Sequence, residues 1–254
     1  MSLVEQRSRA GVIWSGATTA RARPWPEVPS RAALLISGSH NPTVQLPDTS
    51  ILQTWVDTLS RWGYDSVRTS PLAPVAATAL STVGFHTSQR LTLLERPDVG
   101  PVIVGRPLRS VRPRFPMSRM PTPSMVEAIL RIDRAAFGDE WMMDHETFRE
   151  ALHATRQARI FVSSVDGQLS GFVIAGITDS YGFIQRLAVH PDFQRRGEAS
   201  SLVQNSLSWI HSRGCRSTVV NTEVSNAAAL SIYEHNGFVP REYNLSVMER
   251  QLSV

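Results

Sequence analysis

The chain has 254 residues, of which 42% are hydrophobic and 19% charged, and its formal net charge is +4 at pH 7. This composition is typical of a folded, soluble protein and excludes a largely disordered chain. No apolar run reaches about 18 residues, which excludes a membrane-spanning helix, and the first residues lack the apolar core of a signal peptide, so we expect a cytoplasmic protein. The single cysteine, Cys215, excludes an internal disulfide and a cysteine-based metal cluster, and we expect no metal.

The basic residues are of one type. All 26 are arginine, so no lysine is available as a catalytic amine or as a target of self-acetylation. The positive net charge suits an anionic ligand. Because the arginines are dispersed and not interleaved with aromatic residues, nucleic acid is not expected as a partner, and no membrane association is expected.

The first part of the chain contains one clear helix. One or two weak strands are expected around Gly11 to Trp14, with loop in the rest of residues 1–30, and Ala32 to Ser37 has the apolar run of a buried strand. From Ile51 to Trp62 apolar residues recur at helical spacing, and Gly63 is placed to end that helix.

A repeat relates this helix to the end of the chain. Apolar and glycine positions recur at an offset of 151 residues, in the pairs Ile51 and Leu202, Val56 and Leu207, Leu59 and Ile210, and Gly63 and Gly214. Gly84-Phe85 and Gly237-Phe238 correspond after a further shift of two residues. We therefore expect the N-terminal part to be a second copy of the C-terminal half. Chance similarity is the alternative, since glycine commonly ends helices.

Residues 97–123 are rich in proline and arginine. Their seven prolines favour extended chain over helix. We expect a linker over residues 101–123, with one strand from Leu108 to Arg112 that enters the next sheet. A basic arm that binds nucleic acid is the alternative interpretation of this segment.

Two helices are expected after the linker. Ser124 and Glu127 have the spacing of a capping box that opens the first helix, and Asp144 is placed to cap the second. The segment from Phe137 to Met143 interrupts the helical pattern between them.

Three strands follow the two helices. Ile160 to Val165 and Leu169 to Ile177 are joined by Asp166-Gly167, a dipeptide typical of a tight hairpin turn. Tyr181 to Val189 is the third strand, and it ends at the proline that follows His190.

A basic turn joins the third strand to a helix. It reads Gln194-Arg195-Arg196-Gly197-Glu198-Ala199, and the helix is expected from Ser200 to about His211. A helix N-terminus presents unpaired N–H groups and the positive end of the helix dipole, which together favour a phosphate. A side chain at Gly197 or Ala199 is expected to keep the backbone away from such a ligand.

This turn resembles the Gln/Arg-x-x-Gly-x-Gly/Ala motif of the GNAT superfamily of N-acetyltransferases, whose loop holds the pyrophosphate of acetyl-CoA. The segment from Ser225 to Phe238 also resembles the Ser-Asn-x-x-Ala-x-x-Leu-Tyr-x-x-x-Gly-Phe segment of GNAT enzymes, especially the RimI type that acetylates the N-terminus of a ribosomal protein. The resemblance covers about residues 108–252. It implies an α/β (α+β) GNAT fold, with a mixed, mostly antiparallel central sheet flanked by helices.

The resemblance also suggests how the repeat is to be interpreted. Residues 1–100 are expected to form a degenerate GNAT-like domain, because Thr43 to Pro47 replace the basic turn without glycine or arginine, and Leu80 stands at the position of Tyr233. Residues 101–123 are then the linker and the entry of the first strand, and residues 108–254 the catalytic domain.

Acetyl-CoA is implied as co-substrate. The resemblance makes Tyr233 the general acid, and a phenol with a pKa near 10 is a poor base at neutral pH; simple packing of its helix is the alternative. Asn226 would bind pantetheine or a water, or act as a helix N-cap, and the Val189 N–H would face the thioester oxygen. The other residues expected to bind the cofactor are Leu187, Ala188, Gln194, Arg195, Arg196, Gly197, Glu198, Ala199 and Ser200.

The general base is the point at which the resemblance fails. RimI-type enzymes have a glutamate at the position of Asn221, and other GNAT enzymes have one at the position of Phe183. Neither side chain here can take a proton. Glu223, on the same strand face as Asn221, is the candidate base. A structural or acceptor-binding role for Glu223 is an equal alternative, and His190 and water remain open.

The acceptor is expected to be a primary amine, on a protein N-terminus or a small molecule. In GNAT proteins the loop between the first two helices lines the acceptor pocket, so Asp139, Glu140 and Trp141 are candidate substrate-binding residues. A plain helix connection is the alternative.

The implied activity is an acyltransferase that works by direct attack of the amine, because Cys215 lies in a turn away from the motif. A catalytically inactive acyl-CoA-binding regulatory or scaffolding module is the alternative from another class. A small-molecule acetyltransferase like the mycothiol synthases, which also have a tandem layout, is a further alternative, and a homodimer is left open.

Overall fold

The computed structural model describes residues 9–102, 104–112 and 121–252. The chain forms two compact units: the first contains Met1–Leu93, Thr222–Ser225 and Arg241–Val254, and the second contains Leu94–Asn221 and Asn226–Pro240. Within the expected linker, Ile103 and residues 113–120 lie outside the described residues. Among the helices of the described chain, none combines the length and the apolar character that crossing a membrane requires.

The first unit is a mixed sheet with two helices. Its elements are β1 (Gly11–Ser15), β2 (Thr19–Trp25), β3 (Val28–Ile36), α1 (Thr49–Arg61), β4 (Ser66–Thr69), α2 (Pro74–Ser81) and most of β5 (His86–Pro97) and β11 (Val239–Gln251). The strand order is β1-β2-β3-β4-β11-β5. Helix α1 connects the parallel strands β3 and β4, and its apolar face, which includes Trp55 and Leu59, is buried in the core.

The second unit is a mixed sheet with four helices. Its elements are β6 (Arg109–Val111), α3 (Pro123–Trp141), α4 (His145–His153), β7 (Gln157–Val165), β8 (Gln168–Thr178), β9 (Tyr181–Val189), α5 (Glu198–His211), most of β10 (Ser217–Glu223) and α6 (Ala227–His235). The strand order is β10-β9-β8-β7-β6. Strands β6 to β9 pair in antiparallel fashion, and β9 pairs with β10 in parallel.

Helices cover both faces of the sheet in the second unit. Because side chains alternate along a strand, Ile160 of β7 packs on one face in a cluster with Ile129 of α3 and Phe148 of α4. Its neighbour Phe161 packs on the opposite face in a cluster with Leu207 of α5. The sheet is therefore the middle of three layers, as expected for a GNAT fold.

Three local predictions were wrong. Helix α5 begins at Glu198 and not at Ser200, because Gly197 has a positive φ of 79° and forms the N-cap. The N-cap of α3 is Thr122, whose side chain accepts a hydrogen bond from the Met125 N–H, in place of the expected capping box at Ser124. Strand β2 was expected to be loop, since its inward residues are alanines, which are weak strand formers.

The repeat in the sequence corresponds to a repeat of elements. The order of three strands, helix, strand, helix and strand occurs from β1 to β5 and again from β7 to β11. In both copies a glycine in the left-handed region precedes the last strand, with φ of 79° at Gly84 and 82° at Gly237.

The ends of β5 and β11 each carry an arginine that contacts a turn in the other half of the sequence. Arg96, near the end of β5, belongs to the second unit and donates to the carbonyl of Asn236 at 2.9 Å. Arg250, near the end of β11, belongs to the first unit and donates to the carbonyl of Val83. In each unit, an arginine from one half of the sequence therefore contacts a turn that the other half forms.

Candidate functional site

Strands β9 and β10 pair only at their beginnings. The parallel register runs from Tyr181↔Ser217 to Phe183↔Val219, and it extends no further within these fully described strands. Strand β9 also has a bulge at Gln185, because Ile174 pairs with Arg186 but Ala175 pairs with Ile184. Bulges bend a strand and turn its later residues away from a regular ladder. The second half of β9 is therefore paired to β8 on one side only.

The free edge of β9 carries the backbone groups of Leu187 and Val189. The His190 N–H donates to the Ser170 carbonyl on β8 at 2.9 Å. In an antiparallel pair the residues that bond across the ladder alternate, so Ala188 also faces β8 while Leu187 and Val189 direct their N–H and carbonyl groups the other way. The Val189 carbonyl accepts from the Gln194 side chain at 3.2 Å, which attaches the basic turn to the end of this edge.

The basic turn leaves the N-terminus of α5 open. After a short 3-10 turn at Pro191–Phe193, Arg195 and Gly197 both have positive φ, 59° and 79°. Gly197 is the N-cap, and no side chain caps the helix. The N–H groups of Glu198, Ala199 and Ser200 precede the first intrahelical bond, from the Ser201 N–H to the Gly197 carbonyl at 3.0 Å. Unsatisfied N–H groups at a helix N-terminus favour an anion.

The backbone conformation gives a further reason for a glycine at position 197. A Cβ added there meets no atom within 4 Å, so the surroundings are open space and not a close contact with protein. A positive φ strains residues with a side chain. Within the protein alone, glycine is thus required by the backbone conformation, and a side chain would project into the open space in front of α5.

The side chains of the turn divide into exposed and buried groups. Arg195 and Arg196 are exposed, and Arg196 lies 5.6 Å from the centroid of the Phe193 ring. Glu198 is buried, and its carboxylate accepts from Arg106 at 2.7 Å and from Ser170 at 3.2 Å. Of the residues expected to bind the cofactor, Glu198 can therefore offer its backbone N–H but not its carboxylate.

Tyr233 and Asn226 lie at opposite ends of α6. Tyr233 is buried, with its ring edge-on to Phe238 at 5.5 Å. Its hydroxyl has no hydrogen-bond partner among the described residues. Burial raises the pKa of Tyr233, so the hydroxyl stays protonated at neutral pH and can donate. Asn226 is the N-cap of α6 and accepts from the Ala229 N–H at 3.0 Å, so its carbonyl oxygen is occupied and its amide N–H groups are not.

The candidate bases have different surroundings. Glu223, the last residue of β10, is half-buried and accepts from the Ser225 hydroxyl at 3.4 Å. It belongs to the first compact unit, whereas Asn221, which is exposed, belongs to the second. The His190 ring accepts from the Asp192 N–H at 3.3 Å. The role of Glu223 as a base therefore stays a prediction.

The C-terminal half of α3 is attached to β9 by a buried ion pair. Arg186, the first residue after the bulge, donates to both oxygens of Asp133 at 2.7 and 2.8 Å and to the carbonyl of Trp141 at 2.6 Å. Asp133 is completely buried and also accepts from the Met143 N–H at 2.6 Å. The Arg186 guanidinium lies 3.5 Å from the centroid of the Phe137 ring. Four interactions thus hold this segment beside the candidate site.

The expected acceptor-binding residues lie at the end of α3. The helix is kinked at Gly138, where φ is 71°. Asp139 is exposed and pairs with Arg134 at 2.7 Å, Glu140 is exposed, and Trp141 is half-buried. The carbonyl of Trp141, rather than its side chain, makes the contact with Arg186.

Comparison with known proteins gives a family match over these elements. Residues 126–238, which include most of α3, all of α4 to α6 and the basic turn, match the model of the acetyltransferase (GNAT) family. This part of the chain is therefore similar to a GNAT acetyltransferase domain. Over 75 residues it is 32% identical to the [ribosomal protein bS18]-alanine N-acetyltransferase of Salmonella typhimurium, a match that covers 30% of this chain and 51% of that protein. The chain thus spans about half the length of the curated relatives it matches.

Solved structures share the GNAT fold over most of the chain. A GCN5-related N-acetyltransferase from Sphaerobacter thermophilus has a TM-score of 0.60 at 15% identity, covering 94% of this chain and 78% of that one. A tandem GNAT protein from the clavulanic acid biosynthesis pathway has a TM-score of 0.59 at 13% identity, covering 93% and 79%. These likenesses extend well beyond the residues that the family model matches.

The sequence did not predict two ion pairs of the second unit, Arg186 with Asp133 and Arg106 with Glu198. Asp133 stands four residues after Ile129, on the buried face of α3, and this acidic residue in an apolar stripe was the available signal, because a buried charge needs a partner. Arg106 was assigned to the linker, although it pairs with Glu198 across 92 residues. Nothing in the local pattern identifies Arg106 as that partner.

Proposed function

We propose that the protein is an acyltransferase that moves the acetyl group of acetyl-CoA to a primary amine, on a protein N-terminus or a small molecule, by direct attack. The observation that carries the proposal is the combination of the open N-terminus of α5 with the one-sided edge of β9. The N-terminus of α5 offers N–H donors for a pyrophosphate. The edge of β9 offers backbone N–H and carbonyl groups for an extended chain. The family match of residues 126–238 and the partial likeness to a ribosomal-protein alanine N-acetyltransferase support the same reaction class.

The basic turn is proposed to hold the pyrophosphate. The N–H groups of Glu198, Ala199 and Ser200 would donate to its oxygens, and the exposed guanidinium groups of Arg195 and Arg196 would add positive charge. Gln194 keeps the turn against Val189. Leu187 and Val189 would pair with the amide groups of the pantetheine through their backbone, as a strand pairs with an edge, and Ala188 would contribute to the shape of this edge.

The chemistry requires little from the side chains. Acetyl-CoA supplies a thioester, and the N–H of Val189 is proposed to stabilise the negative charge that develops on its oxygen when the amine nitrogen attacks the carbonyl carbon. The carbon–nitrogen bond forms and the carbon–sulfur bond breaks. Tyr233 donates its hydroxyl proton to the departing sulfur, and the proton lost by the amine replaces it through solvent. Asn226 would orient the pantetheine or a water with its free amide N–H groups.

The amine attacks in its neutral form, and its nitrogen loses one proton as the amide bond forms. Glu223 is proposed to accept that proton, directly or through a water, because the positions at which related enzymes have a glutamate are Asn221 and Phe183 here. The acceptor is proposed to contact Asp139, Glu140 and Trp141. Two carboxylates and an aromatic ring suit a basic or apolar amine.

Two alternatives have specific support. The missing glutamates at Asn221 and Phe183 favour a module that binds acyl-CoA without turnover, whereas the free hydroxyl of Tyr233 favours an enzyme. The structural likeness to a tandem GNAT protein is compatible with a small-molecule acetyltransferase of the mycothiol synthase type. A cytoplasmic location without membrane association is part of the proposal, and so is the absence of a metal.

The first test is a calorimetric titration with acetyl-CoA. Gly197→Asp is expected to weaken binding on the order of 100-fold, because a carboxylate at the N-cap occupies the helix N–H groups and repels the phosphates. Gly214→Asp is the matched control, since Gly214 has φ of 73° and equally open surroundings. Loss of binding in both variants, or in neither, contradicts the assignment of the turn.

Turnover is tested in the same preparation. Release of free thiol from acetyl-CoA is followed with peptides that have a free N-terminus and with small amines as acceptors. Binding with acetyl transfer supports the enzyme. Binding without transfer to any acceptor supports the inactive acyl-CoA-binding module. If the wild type does not bind acetyl-CoA, both the enzyme and the inactive module are excluded.

A further inference from the structure

Three arginines of the second unit, at the C-terminal end of α5, form a group that the proposed reaction does not use. Arg112 directly follows β6, Arg159 lies on β7, and Arg213 lies in the turn after α5. The β6–β7 register pairs Val111 with Ile160, and the next position of that register sets Arg112 opposite Arg159. We call Arg112, Arg159 and Arg213 the arginine cluster.

Aromatic rings hold the central member of the cluster. The Arg159 guanidinium carbon lies 5.2 Å from the centroid of the Trp209 ring and 5.9 Å from that of Phe161. Both rings belong to the apolar cluster on the α5 face of the sheet, so Arg159 extends over that face. Stacking on an aromatic ring restricts the plane of a guanidinium and leaves its edge N–H groups for hydrogen bonds.

No carboxylate of the described residues pairs with the arginine cluster. None of its three side chains forms a hydrogen bond or an ion pair with the described residues, and the Nε atom of Arg159 is buried without a partner. The indole N–H of Trp209, a residue that is 6% exposed, is buried and unpartnered as well. The pKa of Arg159 is lowered by loss of solvent and then by the positive charges of Arg112 and Arg213, so both neighbouring charges act on Arg159.

The neighbouring sequence cannot supply the missing charge. Between Asp98 and Glu127 the chain contains no aspartate or glutamate, so residues 113–120, which directly follow Arg112, carry no carboxylate. Asp98 itself accepts from the His211 ring at 2.8 Å. The positive charge of the cluster is therefore not compensated by adjacent chain.

This arrangement is costly for the protein alone. Like charges directly opposite each other on neighbouring strands are destabilising, and a half-buried cation without a hydrogen-bond acceptor loses solvation without compensation. The free polar groups at this place are the guanidinium N–H groups of the arginine cluster and the indole N–H of Trp209, and all of them are hydrogen-bond donors. The ligand that relieves this imbalance has only acceptors and a negative charge, and guanidinium groups match the geometry of phosphate oxygens in particular.

We propose that the arginine cluster binds a phosphate group at a site separate from the turn at Gly197. The two sites lie at opposite ends of α5, whose 14 residues extend about 20 Å at 1.5 Å per residue. The phosphate is either a free anion or part of a nucleic-acid backbone. The dispersed arginines of the sequence gave no sign of such a site, because only the pairing of β6 with β7 and the end of α5 bring them together.

The test compares two probes on the full-length protein. Binding of a short labelled single-stranded oligonucleotide is measured by fluorescence anisotropy over a series of salt concentrations, and binding of inorganic phosphate by calorimetry. The variants are Arg159→Gln and Arg213→Gln, and the control is Arg149→Gln, an equal loss of charge at an exposed position of α4. The turn at Gly197 is unchanged in all four proteins, so differences among them report on the cluster.

Each cluster variant is expected to weaken binding about tenfold, the size of one hydrogen bond to a charged group. With the oligonucleotide, the slope of log K against log salt should also fall by about one per arginine removed. Arg149→Gln should retain the affinity of the wild type. Because Arg213 is exposed, its variant tests the site even if Arg159→Gln alters the fold, which thermal melting detects.

The two probes distinguish the sources of the phosphate. Dependence of the oligonucleotide on Arg159 and Arg213 assigns the site to a nucleic-acid backbone. Dependence of inorganic phosphate alone assigns it to a free anion. The proposal is overturned if neither probe binds the wild type, or if both bind the cluster variants and the control equally.

Discussion

The two copies of the repeated unit differ most at the N-terminus of their first helix. In the first copy, Asp48 caps α1 by accepting from the N–H groups of Ser50 and Ile51 at 3.0 and 3.1 Å. In the second copy, Gly197 leaves the equivalent groups of α5 without a side-chain cap. A helix N-terminus favours an anion beside its free N–H groups. In the first copy that anion is part of the protein, and in the second the place is open to a ligand.

The strand after the first helix and the second helix are also more closed in the first copy than in the second. Strand β4 pairs with β3 along its whole length, from Ser66 to Thr69, whereas β10 pairs with β9 only over its first three residues. Leu80 is fully buried in α2, at the position that Tyr233 occupies in α6. One scaffold thus yields a closed copy and an open one, and few residues decide which.

The largest expected effect concerns the ion pair that joins α3 to β9. Asp133→Ala leaves Arg186 without its buried partner, and the loss of one member of such a pair is expected to lower the free energy of unfolding by about 3–5 kcal/mol. Urea denaturation measures it. Asp139→Ala is the control, because its exposed pair with Arg134 contributes at most about 1 kcal/mol. An equal loss in both variants contradicts the assigned importance of the buried pair.

Tyr233→Phe makes the second copy more like the first. It is expected to lower kcat about 100-fold, because proton donation to the leaving sulfur is lost, with little change in the KM for acetyl-CoA. Steady-state thiol release measures both constants, and Tyr181→Phe, at an exposed position, is the control. A rise in KM with unchanged kcat would assign Tyr233 to binding instead.

The raised pKa of Tyr233 adds a pH signature to that variant. The unfolded chain loses the tyrosine proton near pH 10, before the folded protein does, so the contribution of Tyr233 to stability is complete below pH 10 and declines as the pH rises further. The wild type is therefore expected to lose more stability than Tyr233→Phe above pH 10. Parallel stability curves for the two proteins are inconsistent with a buried phenol.

The smallest effect is expected from opening the first copy. Asp48→Gly removes the cap of α1 and should lower the thermal midpoint slightly, because glycine is itself an acceptable N-cap. It should create no second acetyl-CoA site, since Thr43 to Pro47 provide no arginine. Calorimetric stoichiometry measures this. A second equivalent of bound acetyl-CoA would show that the cap alone distinguishes the two copies.

Much of the second unit was predictable from local patterns. Strand β9 and the hairpin at Asp166-Gly167, where both residues have positive φ, followed from alternation and turn chemistry, and the confirmed cap at Asp144 followed from its side chain. Strand β2 of the first unit was not predictable in this way, because its alternating alanines have weak strand propensity. The start of α5 was predicted two residues late, because the residue types of the basic turn do not show that Gly197 adopts the left-handed conformation and forms the N-cap.

The sequence by itself determined the GNAT-like order of elements, the basic turn, the segment around Tyr233 and the repeat, because each depends on residues that are near one another in the chain. The tertiary structure alone decided which distant groups meet. It paired Arg106 with Glu198 and Arg186 with Asp133, gathered the arginine cluster, and brought Arg96 and Arg250 to turns in the other half of the sequence. Such pairings depend on strand register and helix packing over tens of residues, and no local pattern specifies them.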